Sequence, residues 1–141
     1  MLKGIPGILS PDLLKILMEM GHGDEIVIAD GNYPAASNAR HLVRLDGHGA
    51  IEVAEAILKF LPLDQYVGEP ALLMSVVPGD TVVPTIWDEY RKLVETCEPG
   101  TKIGFLDRFS FYERAKQAYA IVATGESALY ANILLKKGVI R

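Results

Sequence analysis

Residues 10–34 read SPDLLKILMEMGHGDEIVIADGNYP, and this stretch decides the fold class. Ser10-Pro11-Asp12 is a helix start, with a hydroxyl to cap free amides, a proline where no donor is needed and an acid that the helix dipole favours. Leu13, Leu14, Leu17 and Met18 then fall on one face, with Lys15 and Glu19 on another. Gly21 and Gly23 bracket His22 and offer a left-handed position at which the helix would end. Asp24 to Asp30 follows as a mostly apolar strand with an acid at its far end, and Gly31-Asn32-Tyr33-Pro34 must turn. Helix, apolar strand, acid at the strand end, loop: this is the unit of an α/β fold.

The alternation continues along the chain. His41–Leu45 predicts a short strand, Ile51–Phe60 a helix, Ala71–Val77 a buried strand closed by Pro78-Gly79-Asp80, and Ile86–Cys97 an amphipathic helix stopped by Pro99-Gly100. Lys102–Leu106 is strand-like, Phe109–Ala118 helical, and Tyr119–Thr124 and Asn132–Lys136 supply the last strands. No repeat or linker interrupts the series, so one domain is expected over residues 1–141, with helices packed on a mixed, largely parallel sheet. Purely parallel order is not expected, because no helix joins the final two strands. In such folds the loops beyond the strand ends carry the chemistry, which directs attention to Asp30.

Composition narrows the function classes. Fourteen Lys and Arg against eighteen Asp and Glu leave a net charge of −4, so no global positive field exists to recruit nucleic acid. The apolar runs fall well short of the ~18–20 residues of a membrane span, and no signal-peptide pattern opens the chain, so a cytoplasmic location is expected. One cysteine, Cys97, and three histidines without HxxxH spacing speak against a disulfide framework and a transition-metal centre. Phosphate loop, dinucleotide fingerprint and nucleophile elbow are all missing, so no cofactor is expected. The 50% apolar content is high for a small acidic protein and implies surface covered by another subunit.

Four places carry side chains suited to chemistry. His22 stands between two glycines after a helix, either as a proton donor or as a surface histidine in a helix stop. Asp30 ends an apolar strand, either to accept from ligand hydroxyls or to hold an Asx turn. Arg108 and Tyr112, four apart at the start of a helix, share a face as ligand contacts or as the rim of an aromatic core stripe. Tyr130 and Asn132 are two apart and would point to one side of an extended chain.

Taken together, Gly21-His22-Gly23-Asp24-Glu25, Asp30 with Asn32-Tyr33-Pro34-Ala35, Arg108-Phe109 with Phe111-Tyr112-Glu113-Arg114-Ala115, and Tyr130 with Asn132-Ile133 resemble the L-fucose mutarotase family, relatives of the D-ribose pyranases. The resemblance runs nearly end to end. It implies interconversion of the α and β anomers of L-fucose without cofactor or metal, with His22 and Tyr112 as acid/base groups. Asp30, Asp64, Arg108, Tyr112, Tyr130 and Asn132 would contact the sugar. It also implies a ring-shaped homo-oligomer, commonly a decamer, with the sugar site shared between neighbouring subunits. Arg108 and the Asn32–Ala35 pattern favour the fucose branch. Ala131 is the ribose-like choice, and Tyr33 stands where phenylalanine is usual. D-ribose pyranase activity and non-catalytic monosaccharide binding are the alternatives.

Overall fold

Both faces of the central strands carry apolar side chains, and this dictates the three-layer arrangement. The computed structural model describes residues 1–141. Its elements are α1 (Pro11–Glu19), β1 (Glu25–Ala29), α2 (Ala35–Asn38), β2 (Leu42–Leu45), α3 (Ala50–Leu58), β3 (Ala71–Met74), α4 (Ile86–Cys97), β4 (Ile103–Leu106), α5 (Arg108–Gln117), β5 (Ala120–Thr124) and β6 (Ile133–Lys136). The strands form one six-stranded sheet in the order β2-β5-β1-β6-β3-β4. Five run the same way; β6 alone is reversed, lying antiparallel between β1 and β3. The sheet is therefore mixed and largely parallel, as the alternation predicts.

Alternate residues of each strand feed opposite cores, the period-two geometry of a strand. Ile26 and Ile28 of β1, with Val122 of β5 and Ile133 and Leu135 of β6, pack under α1, α3 and α4. Val27 and Ala29, with Ile121 and Leu134, face Phe111 and Ala115 of α5 and Ala35 of α2. A strand buried on both faces reads as an unbroken apolar run, which is why these segments are legible.

Two local expectations change. The buried stripe of α1 is Leu13, Ile16 and Leu17, continued by Met20, while Met18 is 84% exposed. The helix also ends without a left-handed glycine: Met20 turns extended at φ −62°, ψ 132°, and the positive φ falls later, at Gly23 (φ 87°). The expected N-terminus holds, with the Ser10 hydroxyl accepting from the Leu13 amide at 3.2 Å.

The final two strands are not neighbours. β1 lies between β5 and β6, so the 125–132 loop crosses the C-terminal end of β1. The crossing is tight: a Cβ on Gly125 would collide with the Asp46 carbonyl. The Gly31 amide donates to the Glu126 carbonyl at 2.8 Å. The Glu126 carboxylate accepts from the Ala50 amide, at the start of α3, at 3.1 Å and from the Ala128 amide at 2.9 Å. This one side chain ties the crossing loop to a helix N-terminus, where an anion is electrostatically favoured.

Candidate functional site

Where the loop crosses β1, four of the expected site residues meet. Asp30 follows the last residue of β1, and its backbone N–H donates to Asn132 Oδ1 at 2.8 Å. That bond fixes the Asn132 amide with its oxygen toward Asp30, leaving Nδ2 as a donor. Asp30 Oδ1 accepts from the Asn32 amide at 3.0 Å. Tyr112 comes from α5, whose N-cap Asp107 accepts from the Ser110 amide at 3.0 Å. Asp30, Tyr112, Tyr130 and Asn132, with Asn32, Tyr33, Met74, Asp80 and Leu129, line a cavity of about 180 Å³. A complete small-molecule pocket measures about 300–1,000 Å³, so this is the size of a partial site. A wider cleft of about 400 Å³ lies beyond Asp30, but its guanidinium, Arg44, is already held by both oxygens of Asp46 at 3.0 and 2.7 Å.

Tyr130 reaches the cavity differently from the extended geometry expected of it. It is the one non-glycine residue with positive φ, 57°, a conformation that costs energy and persists where the surroundings enforce it. Here they do: Trp87 Nε1 donates to the Tyr130 carbonyl at 2.8 Å, and the buried Tyr90 hydroxyl donates to the Ala131 carbonyl at 2.6 Å. Two aromatic side chains of α4 thus clamp the turn that presents Tyr130 and Asn132.

Burial raises the Asp30 carboxyl above its ordinary value, against the lowering effect of the Asn32, Ala131 and Tyr33 amides and the Asn132 side chain. A carboxylate that holds a ligand by accepting from its hydroxyls is a better acceptor when ionised, so the raised value implies an acid limit on ligand binding here. Affinity for a polyhydroxylated ligand is expected to fall with decreasing pH at a higher pH than the ordinary aspartate value of 3.8. Asp30→Asn should abolish that limb, as read by titrating Kd against pH. The same shift makes burying this carboxylate a cost to stability above its folded-state pKa, relieved as pH falls through it.

Tyr33 is a second consequence of burial. Its hydroxyl has no partner in good hydrogen-bond geometry, and desolvation pushes the phenol up to about 12 against a lowering contribution from the nearby Asn38 side chain. Its ring packs edge-on against Tyr112 and Phe111 at 5.0 and 6.2 Å. Removing an orphaned buried hydroxyl while keeping the ring should stabilise. Tyr33→Phe is expected to gain about 1 kcal/mol, or about 3 °C in Tm; a lower Tm would mean that the hydroxyl has a partner.

The remaining expected residues lie elsewhere. Arg108 is exposed at the start of α5, its guanidinium 4.9 Å from the Phe109 ring centre, and it lines a neighbouring cleft with Ser75, Val76 and Val77. His22 and Asp64 meet each other at the opposite end of the sheet. His22 Nε2 lies 3.1 Å from Asp64 Oδ1, which also accepts from the Tyr66 amide at 3.0 Å. The Asp64 amide donates to the carbonyl of Lys136, the last residue of β6, at 3.0 Å. Burial alone would push the Asp64 carboxyl up, but the Tyr66 amide and the His22 imidazole outweigh it and hold it low. An ionised Asp64 keeps the His22 proton on Nε2 and leaves Nδ1 as the nitrogen free to exchange one. β1 separates this pair from Asp30; five residues at about 3.3 Å each make the gap at least ~16 Å.

Asp80 and Glu126 belong to the site region without having been expected there. Glu126 had one sequence signal, the single acid in the connection between the last two strands, while Asp80 looked like part of a Pro-Gly-Asp turn.

Fold and site together define a single-domain α/β protein with a small cavity of carboxylate, amide and phenol groups at the C-terminal ends of its parallel strands, a set suited to a polyhydroxylated ligand. The match to known proteins is specific: the model of the RbsD / FucU transport protein family covers residues 3–140, and the chain belongs to this family. The crystal structure of the fucose mutarotase from Streptococcus pneumoniae in complex with L-fucose superposes with a TM-score of 0.94 at 57% identity, covering 99% of this chain and 100% of that one. The fucose mutarotase of Bos taurus is 48% identical over 99% of this chain and 94% of its own length. RbsD of Bacillus subtilis complexed with D-ribose is more distant, with a TM-score of 0.72 at 27% identity over 96% of this chain and 98% of that one.

Proposed function

We propose that this chain is an isomerase that interconverts the α and β anomers of L-fucose by general acid–base opening and reclosure of the pyranose ring. The observation that carries the reading is the convergence of Asp30, Tyr112, Tyr130 and Asn132 on one cavity at the end of β1, in a chain 57% identical to a mutarotase solved with L-fucose.

The chemistry needs two proton transfers. His22, protonated at Nδ1, gives a proton to the ring oxygen while Tyr112 or a water takes one from the anomeric hydroxyl, and the C1–O5 bond breaks to leave an open-chain aldehyde. Rotation about C1–C2 and the reverse transfers close the ring on the other face. Asp30, Arg108, Tyr130 and Asn132 hold the sugar hydroxyls, and Asp64, buried behind His22, orients the imidazole. Mutarotation proceeds slowly in water, so acid–base catalysis worth about 10²–10⁴-fold plus positioning is sufficient.

His22 and Asp30 lie at opposite ends of one sheet, so one subunit supplies the acid and its neighbour the sugar-binding cavity. The same reading includes a ring-shaped homo-oligomer of ten subunits, and a cytoplasmic location in keeping with the unpaired Cys97. Saturation-difference NMR of anomer exchange in L-fucose, D-ribose and D-galactose tests the function. L-fucose is expected to be accelerated most. Saturable binding without acceleration would make the protein a sugar carrier, and faster pyranose–furanose exchange of ribose would move it to the ribose branch.

A further inference from the structure

Tyr130 Oη lies 2.6 Å from Asp80 Oδ2 and 3.5 Å from the Val77 amide. The first contact is short enough for a charge-assisted O–H···O⁻ bond, and a carboxylate can only accept. The phenolic proton is therefore committed to Asp80, while the Val77 N–H takes one side of the oxygen from outside. Asp80 is itself held: its other oxygen accepts from the Val82 amide at 3.0 Å, and Gly79 before it turns at φ 88°. The hydrogen bond to Tyr130 lowers the Asp80 carboxyl, and the same bond raises the Tyr130 phenol, so both groups point to one protonation state. Asp80 also lines the cavity that holds Asp30 and Asn132.

We propose that Asp80 is a positioning residue that sets ligand selectivity: by taking the Tyr130 proton it makes the Tyr130 oxygen a pure acceptor, so that the sugar hydroxyl meeting it must donate. The inference rests on Tyr130 contacting the monosaccharide, as in the mutarotase reading. Asp30 is an acceptor as well, and the Asn132 nitrogen is the donor of the set. The cavity thus reads a defined pattern of donating and accepting hydroxyls, and Asp80, 50 residues away in sequence from Tyr130, fixes one element of it.

The test uses the assembled protein, with Kd for L-fucose measured by calorimetry on wild type, Asp80→Ala, Tyr130→Phe and the double variant. Each single change is expected to weaken binding about 5–10-fold, the scale of one ordinary net hydrogen bond, and the double variant to bind no more weakly than Tyr130→Phe alone. Monodeoxyfluoro-L-fucoses, in which fluorine accepts weakly and cannot donate, supply a readout that loss of loop structure would not move. Wild type should reject the analogue fluorinated where Tyr130 binds, as it should the one fluorinated where Asp30 binds, since neither acceptor can take a hydrogen bond from fluorine. Asp80→Ala should relax that penalty at the Tyr130 position only, because the phenol can then turn its proton to the fluorine. Multiplicative losses in the double variant, or an equal loss for every analogue, overturn the proposal. Wild type that binds L-fucose without exchanging its anomers overturns the catalytic reading instead and leaves the coupling readable in Kd; wild type that does not bind L-fucose overturns both.

Discussion

His22→Ala is expected to slow L-fucose anomer exchange by about 10²–10⁴-fold, the full scale of a positioned acid–base group, with Kd for the sugar within a few-fold of wild type. The split between rate and affinity follows from position: His22 lies at the opposite end of β1 from Asp30, Tyr130 and Asn132, so its loss leaves the side chains proposed to hold the sugar in place. It is also expected to leave the fold intact, because the imidazole is half exposed, with Asp64 as its hydrogen-bond partner and the Tyr66 ring 5.4 Å away between centres. Removing it leaves the Asp64 carboxylate one hydrogen bond short, but the Tyr66 amide still serves it. Added imidazole should restore part of the rate, since the missing element is a proton donor in a space the side chain has vacated. Exchange as fast in the variant as in wild type would falsify the assignment of His22.

How much of this was legible depended on how far each contact reaches along the chain. Strands buried on both faces leave unbroken apolar runs, and helices with a proline start or a Pro-Gly stop announce their ends, so α1 and α4 begin where the sequence places them. α2 was hidden because four residues carry no period. Asp30 stood out as the single acid ending an apolar strand, and His22 as a histidine flanked by glycines. Asp64 was reached only through the family resemblance, and Asp80 and Glu126 were not singled out at all, because the partners His22, Tyr130 and Ala50 lie 42, 50 and 76 residues away. The left-handed Tyr130 was equally hidden: Trp87 and Tyr90 enforce it from α4, where the sequence offers no glycine to signal it. The match of motifs in order pointed to the family, but it said nothing about which end of the sheet each motif occupies.

That last point carries the second large prediction. On the proposed arrangement, in which the acid of one subunit serves the cavity of another, an isolated monomer is expected to retain under about 1% of wild-type exchange, the loss that follows from removing the acid–base group itself. The cavity around Asp30 is only about 180 Å³, and each half carries an exposed aromatic beside it, Phe109 at 71% next to Arg108 and Tyr66 at 66% next to His22. Such rims suit burial between subunits, and they give the 50% apolar content a place to go. Mixed assembly makes the argument quantitative. His22→Ala and Asp30→Asn oligomers should each be nearly inactive, yet subunits of the two dissociated and reassembled in equal amounts should recover roughly a quarter of wild-type activity, because about one site in four then draws its His22 from an Asp30→Asn subunit and its Asp30 from a His22→Ala subunit. Asp30→Asn suits this use, since an amide oxygen can still accept from the Asn32 N–H and hold the turn after β1. If reassembly restored nothing, or if a verified monomer exchanged anomers at the wild-type rate, the two halves would have to meet within one chain, across the ~16 Å that β1 holds between them.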